Sequence, residues 1–209
     1  MQYTTKRRLI VVISVVLLFA IYLLGRLSFL INIAGVIFGL AVFYTIDHLF
    51  EIKFKLRHYL YVILILFGGI LFSPLYFIST DYDKILHFVM PILGSIMIFF
   101  VVDKLKIKFQ WKLLITFTSI LAILTIHEIG EYLIDKIWDL KLQGVYLRDI
   151  SGFEKFDVVQ GGLEDTMFDL IFGMLGSLFF SISKTICYLY NKRYKKIKKN
   201  KIKRSFLKT

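Results

Sequence analysis

Cysteine is almost absent: the 209-residue chain holds one, Cys187. A single thiol excludes an internal disulfide and any thiolate metal cluster within one chain. Near the end of the last apolar run it reads as a packing residue, with palmitoylation as the alternative. No serine elbow, phosphate-binding P-loop or dinucleotide glycine fingerprint occurs, and the two halves show no internal repeat. Acidic residues are few, 15 against 27 Lys and Arg, so the formal net charge is +12. What the chain has in excess is apolar surface, with 57% hydrophobic residues and a mean hydropathy of +0.71. A soluble domain of this length needs polar loops and outer faces and would not carry so much.

The apolar residues fall in six long runs, residues 8–25, 28–46, 59–78, 84–102, 112–134 and 165–189. About 20 apolar residues suffice to cross a bilayer as a helix. The expectation is therefore an all-α polytopic membrane protein, a six-helix bundle over residues 1–191 followed by a basic tail over 192–209. The first run, behind Lys6, Arg7 and Arg8, resembles a signal peptide but has no small-residue cleavage site, and a second run follows at once, so it reads as a retained helix. Short-loop charge sets the orientation. Lys53, Lys55 and Arg57, then Lys104, Lys106, Lys108 and Lys112, mark the second and fourth loops, and the tail is densely basic. The first loop has only Arg26, the third sets Asp81 and Asp83 against Lys84, and the fifth mixes signs. Both termini and every basic segment then lie on the cytoplasmic side. The tail from Lys192 to Lys208 is read as a topology signal and a contact for anionic lipid, not as a nucleic-acid site. The partners expected are the bilayer and those lipids, with homo-oligomerisation left open.

That topology brings three groups of polar residues to one membrane face. Asp83 starts the fourth run, and His87 lies on the same helical face roughly 6 Å deeper. His127, Glu128 and Glu131 lie one to two turns from the outer end of the fifth run, with 127/131 and 128/131 sharing faces. Asp165 and Asp169 do the same at the start of the sixth. Ionisable residues within a membrane segment are costly and mark function by default. Carboxylates gathered in low dielectric must take up protons, pair with cations or bind a metal. Oxygen and imidazole donors without thiolate suit Zn²⁺, Mn²⁺, Fe²⁺ or Mg²⁺. The metal-ligand set expected is Asp83, His87, Glu128, Glu131, Asp165 and Asp169.

Other readings compete residue by residue. Asp83 and Asp165 stand where carboxylates cap helices, Glu131 is close enough to the surface to snorkel, and His127 fits a hydrogen-bonded core position. Pro91 has no N–H to offer the carbonyl of His87, which leaves that oxygen for a ligand or kinks the helix. His127-Glu128-x-x-Glu131 looks like the zinc-protease His-Glu-x-x-His helix, but Glu131 replaces the second histidine. Gly173 and Gly176 allow close helix packing or carbonyl exposure. The fifth loop has the length of a lid, with Trp138 and Tyr146 in the interface, but its periodicity specifies no element.

Three of these stretches are also familiar together. Tyr82-Asp83-Lys84-Ile85-Leu86-His87-Phe88 resembles the Tyr-Asp-Lys/Arg-x-x-His-Phe signature of the YjdF family of bacterial and archaeal inner-membrane proteins. Glu128-x-x-Glu131-Tyr132 resembles its Glu-x-x-Glu-Trp segment. Gln160-Gly161-Gly162-Leu163-Glu164-Asp165-Thr166-Met167-Phe168-Asp169 is similar to its Gln-Gly-Asp-x-x-Asp-Thr-x-x-Asp segment. The likeness spans roughly residues 81–177. A more distant one is to VanZ-like membrane proteins, associated with glycopeptide resistance and the cell envelope. Gly162 and Gly173 stand where these patterns have Asp and Asn, so no ligand role carries over to those positions. The resemblance implies a multi-pass protein of the prokaryotic plasma or inner membrane, and favours the six metal-ligand candidates over His127.

The functional expectation is a metal-dependent hydrolase or transferase acting on a lipid or cell-envelope substrate at the outer leaflet. His87 and the carboxylates would hold the metal, Glu128 would serve as general base with His87 as the other catalytic candidate, and Lys84 or Arg148 would contact a substrate phosphate. A proton- or cation-coupled transporter, and a structural protein whose ion pairs hold the last three helices together, are the alternatives.

Overall fold

The computed structural model describes residues 3–23, 29–72, 75–150 and 154–206. The first loop with Arg26, the boundaries at Gly25 and Ser28, and the last three residues lie outside these. Helices dominate: α1 (Tyr3–Leu23), α2 (Phe29–Leu49), α3 (Leu56–Leu71), the one-turn α4 (Leu75–Ile78), α5 (Tyr82–Val102), α6 (Phe109–Trp138) and α7 (Gly162–Phe206). Three of them, α5, α6 and the Gly162–Lys198 part of α7, are long and apolar enough to cross a membrane. Arg8–Phe19, Ile33–Leu49 and Leu56–Ile70 are shorter apolar helices. Large apolar side chains such as Phe38, Leu60, Ile126 and Phe179 face outward. In water that would be a liability, whereas in lipid it costs nothing.

Two features depart from the sequence expectation. The third apolar run is not one helix through residue 78: α3 ends at Leu71 and α4 is a separate turn. The basic tail is no separate segment either, since α7 continues unbroken through it to Phe206. Lys and Arg are good helix formers, so a change of solvent does not require a change of backbone. Cys187 is exposed on α7 and faces away from the bundle, so it does not pack inside it.

A chain read as all-α also contains a β-hairpin. β1 (Val145–Arg148) pairs antiparallel with β2 (Lys155–Gln160), with Val145 opposite Gln160, Tyr146 opposite Val158 and Arg148 opposite Lys155. Both strands are short and rich in β-branched and aromatic residues, but the irregular register breaks the period-2 pattern that would have announced them.

α5, α6 and α7 form the packed centre. A Cβ on Gly176 would fall 2.2 Å from the backbone oxygen of Phe88, so α5 and α7 touch main chain to side-chain-free main chain there. One level further along α5, Ser95 Oγ and Ser177 Oγ, both fully buried, lie 3.2 Å apart. Small residues at a crossing let backbones approach and a hydroxyl pair join them, the usual means of helix association in lipid. The first helices lean on this centre through an aromatic cluster: Phe43, Phe54 and Tyr59 pack together, with Phe100 of α5 against Phe54.

Candidate functional site

The close α5–α7 crossing fixes what lies two turns above Gly176. There His87 Nε2 of α5 stands 3.6 Å from Asp169 Oδ2 of α7. Asp83, one turn earlier on α5, completes a group: Asp83, His87 and Asp169 each offer one donor atom, and these lie within 4.8 Å of one another. A second group stands on α6, where His127, Glu128 and Glu131 meet the same condition. His127 Nδ1 is 3.6 Å from Glu128 Oε1, and its Nε2 is 3.8 Å from Glu131 Oε1. The groups face each other through their histidines, whose rings are 6.2 Å apart in an edge-to-face arrangement.

Asp165 belongs to neither triad. Its Oδ2 accepts the backbone N–H of Gly144 at 2.7 Å, which ties the start of α7 to the hairpin. Gly144 has φ +103°, and a Cβ there would meet Gln160 O at 3.0 Å. Only glycine takes this conformation without strain, and the conformation is what aims the N–H at Asp165. Gly144→Ala is expected to cost about 1–3 kcal/mol locally. Hydrogen exchange should show faster amides over residues 142–148, with the apolar helices unchanged; uniform protection across the hairpin would refute the assignment.

The carboxylates are buried beyond what pairing explains. Glu128, Asp165 and Asp169 are 4%, 4% and 2% exposed. Asp165 Oδ1 and Asp169 Oδ1 make no hydrogen bond among the described residues, while Glu128 Oε1 has the His127 ring nitrogen at 3.6 Å. An orphaned buried carboxylate oxygen costs several kcal/mol of lost hydration, on the order of what one interaction repays. His127, by contrast, is exposed, and Glu131 is half-buried, so the second group is open on one side.

A shell of other residues holds these in place. Tyr76 of α4 is buried and donates its hydroxyl to Asp83 Oδ1. Arg148 of β1 lies over the Tyr76 ring, its Cζ 3.6 Å from the centroid, in a cation–π stack. Asp135 at the end of α6 accepts the N–H groups of Leu142 and Gln143 at 2.8 and 2.7 Å, shaping the turn into the hairpin. Gln143 Nε2 in turn donates to Thr166 Oγ1 at 3.0 Å. The fifth loop is thus a hairpin fastened over the polar end of the bundle. Tyr76, Asp135 and Gln143 escaped the sequence reading because they lie outside the polar groups spaced within the apolar runs. Lys84 is half-buried, with Nζ 2.7 Å from the exposed Asp81 and 5.4 Å from the Phe168 ring. At the opposite end of α5 a second polar group went unread: Tyr59 donates to Asp47 at 3.3 Å, and His58 Nδ1 accepts the N–H of Lys55. Charges at the ends of apolar runs read as span boundaries, which hid Asp47.

Helices with outward apolar faces around a buried polar end define the class, an integral membrane protein. The chain belongs to the family described as predicted membrane protein (DUF2238), whose profile matches residues 5–192. This is the family to which the sequence resemblance pointed. No curated protein and no solved structure matched it.

Proposed function

We propose that the protein is a divalent-cation-dependent membrane hydrolase or transferase acting on a lipid or cell-envelope substrate at the outer leaflet. The observation that carries this is the pair of facing Asp/Glu/His triads, in one of which the buried Asp169 Oδ1 has no hydrogen bond among the described residues. A network that only held helices together is expected to pair its buried acceptors, because each unpaired one weakens it. Three protein donors are the usual complement of a catalytic metal site. Asp83, His87 and Asp169 would hold the cation, which would supply Lewis acidity and a water of lowered pKa. Glu128, buried at the boundary of the two groups, would take the proton of that water, and Glu131 with His127 would carry it outward. Asp165 would act by holding the hairpin. Six membrane crossings with both termini cytoplasmic put this end at the outer face, a topology supported by the basic residues in alternate loops.

Metal content measured by mass spectrometry on detergent-purified protein tests the reading. We expect close to stoichiometric Zn²⁺, Mn²⁺, Fe²⁺ or Mg²⁺, reduced by chelator and restored on readdition. Protein that takes up none of these ions on incubation would overturn the reading and leave a proton or monovalent-ion pathway as the use of the carboxylates.

A further inference from the structure

One oxygen of the Asp83, His87 and Asp169 triad is already engaged, because Tyr76 donates its hydroxyl to Asp83 Oδ1. The phenol that does so is held from several sides. It is buried, and the Tyr82 ring stands edge-on to it with centroids 5.0 Å apart. The Arg148 guanidinium covers its face, Cζ 3.6 Å from the ring centroid. Ser79, whose N–H bonds Leu75 O at the start of α4, accepts the Tyr82 N–H at 3.1 Å and so ties α4 to α5. Tyr76 also lines an open pocket of about 1020 Å³ between α4 and the hairpin.

A carboxylate ligates a cation through one oxygen or through two, and the choice bears on which cation is held. Ca²⁺ takes about six to eight oxygen ligands, commonly with two-oxygen carboxylates among them. Zn²⁺ and Fe²⁺ accept imidazole, and Zn²⁺ needs only about four ligands. With Oδ1 bonded to Tyr76, Asp83 has Oδ2 left for a cation. His87 offers a single nitrogen. Asp169 has Oδ2 at 3.6 Å from His87 Nε2 and Oδ1 without a hydrogen bond among the described residues. Imidazole and few carboxylate oxygens form a poor set for Ca²⁺ and an adequate one for Zn²⁺.

We propose that Tyr76 is a specificity-determining residue of this site: by holding Asp83 Oδ1 it makes Asp83 a one-oxygen ligand and so favours Zn²⁺ or Fe²⁺ over Ca²⁺. The phenol acts through orientation as well as occupancy. Two-oxygen ligation needs both oxygens turned to the cation, and a donor fixed on one of them keeps the carboxylate from turning. Groups hydrogen-bonded to a metal ligand in this way set affinity without touching the metal. Tyr76 is thus a positioning residue, acting on the cation through Asp83. The inference rests on the cation-dependent reading and adds to it the ion that the site rejects.

The test is equilibrium dialysis of the full chain in detergent against Zn²⁺, Ca²⁺ or both, with bound metal counted by mass spectrometry. The parent is compared with Tyr76→Phe and Tyr82→Phe. Tyr76→Phe removes only the hydroxyl and keeps the ring, with its Arg148 stack and its share of the pocket wall. The parent is expected to bind Zn²⁺ in preference to Ca²⁺. Tyr76→Phe should weaken Zn²⁺ about tenfold, the lower end for residues that orient ligands, while Ca²⁺ binds as tightly as in the parent or more so. Tyr82→Phe should keep the parent's preference. A Tyr76→Phe variant with the parent's ratio of the two affinities, or a parent that holds Ca²⁺ as tightly as Zn²⁺, overturns the proposal alone. A parent that takes up no divalent ion overturns the cation-dependent reading together with it. Infrared difference spectra of the parent with and without Zn²⁺ keep the test valid should Tyr76→Phe fail to fold, since one-oxygen and two-oxygen carboxylate ligands differ in the spacing of their stretching bands. A one-oxygen signature lost in Asp83→Asn is expected, and a two-oxygen signature lost there overturns the proposal.

Discussion

Replacing Asp169 by Asn is expected to abolish cation-dependent stabilisation while leaving the metal-free protein at least as stable as the parent. Asp169 is 2% exposed, one of its oxygens is without a hydrogen bond among the described residues, and the other is 3.6 Å from His87 Nε2. Asn keeps the shape and an acceptor for His87 but removes a charge buried beside Asp83. Without metal, that charge is a cost, since like charges in low dielectric repel. With metal, it is a ligand, and its loss should lower affinity well beyond the 10–100-fold typical of residues that merely orient ligands. A ligand at 100 times its Kd stabilises the folded state by about 2.7 kcal/mol, so the parent should show a clear rise in unfolding temperature with Mn²⁺ or Zn²⁺. The variant should show none. A variant that unfolds more readily than the parent in chelator would instead identify Asp169 as part of a structural ion pair.

The second large effect is expected at Gly176. A methyl group there would sit 2.2 Å from the Phe88 carbonyl oxygen, and backbone cannot move aside as a side chain can. Gly176→Ala should force α5 and α7 apart at a cost of about 3 kcal/mol, the upper end of overpacking. It should also disturb the His87–Asp169 approach two turns away. Gly173 is the internal control. Its added Cβ would meet only the end of the Leu124 side chain, which can rotate, so Gly173→Ala should cost under about 1.5 kcal/mol. Thermal unfolding in detergent, followed by size-exclusion chromatography, measures both. Equal losses in the two variants would contradict the backbone contact seen at Gly176.

Both predictions concern residues that sequence reasoning had singled out, for different reasons. Asp169 stood out because carboxylates in apolar helices are rare, and helical spacing put it one turn below Asp165 on the same face. Gly176 was legible only as a small residue at a helix surface. That its neighbour is the Phe88 backbone depends on how α5 and α7 cross, which no local pattern encodes. His127 shows the converse. The family resemblance gave it no counterpart, yet the geometry puts its ring between Glu128 and Glu131 and against His87. Asp165 was grouped with Asp169 by spacing, and the structure turns it to the hairpin.

That this is a helical membrane protein, and that Asp83, His87, Glu128, Glu131, Asp165 and Asp169 gather toward one end of the last helices, is legible in the amino-acid order. Both follow from one-dimensional quantities, the length of apolar runs and the 3.6-residue period, which are local and strong. The two facing triads, the separate role of Asp165, the hairpin over them and the pocket beside Tyr76 come from the three-dimensional packing. Those depend on distances between segments far apart in the chain, set by the depth of a helix crossing at Gly176 and by one backbone N–H, that of Gly144, aimed at one carboxylate.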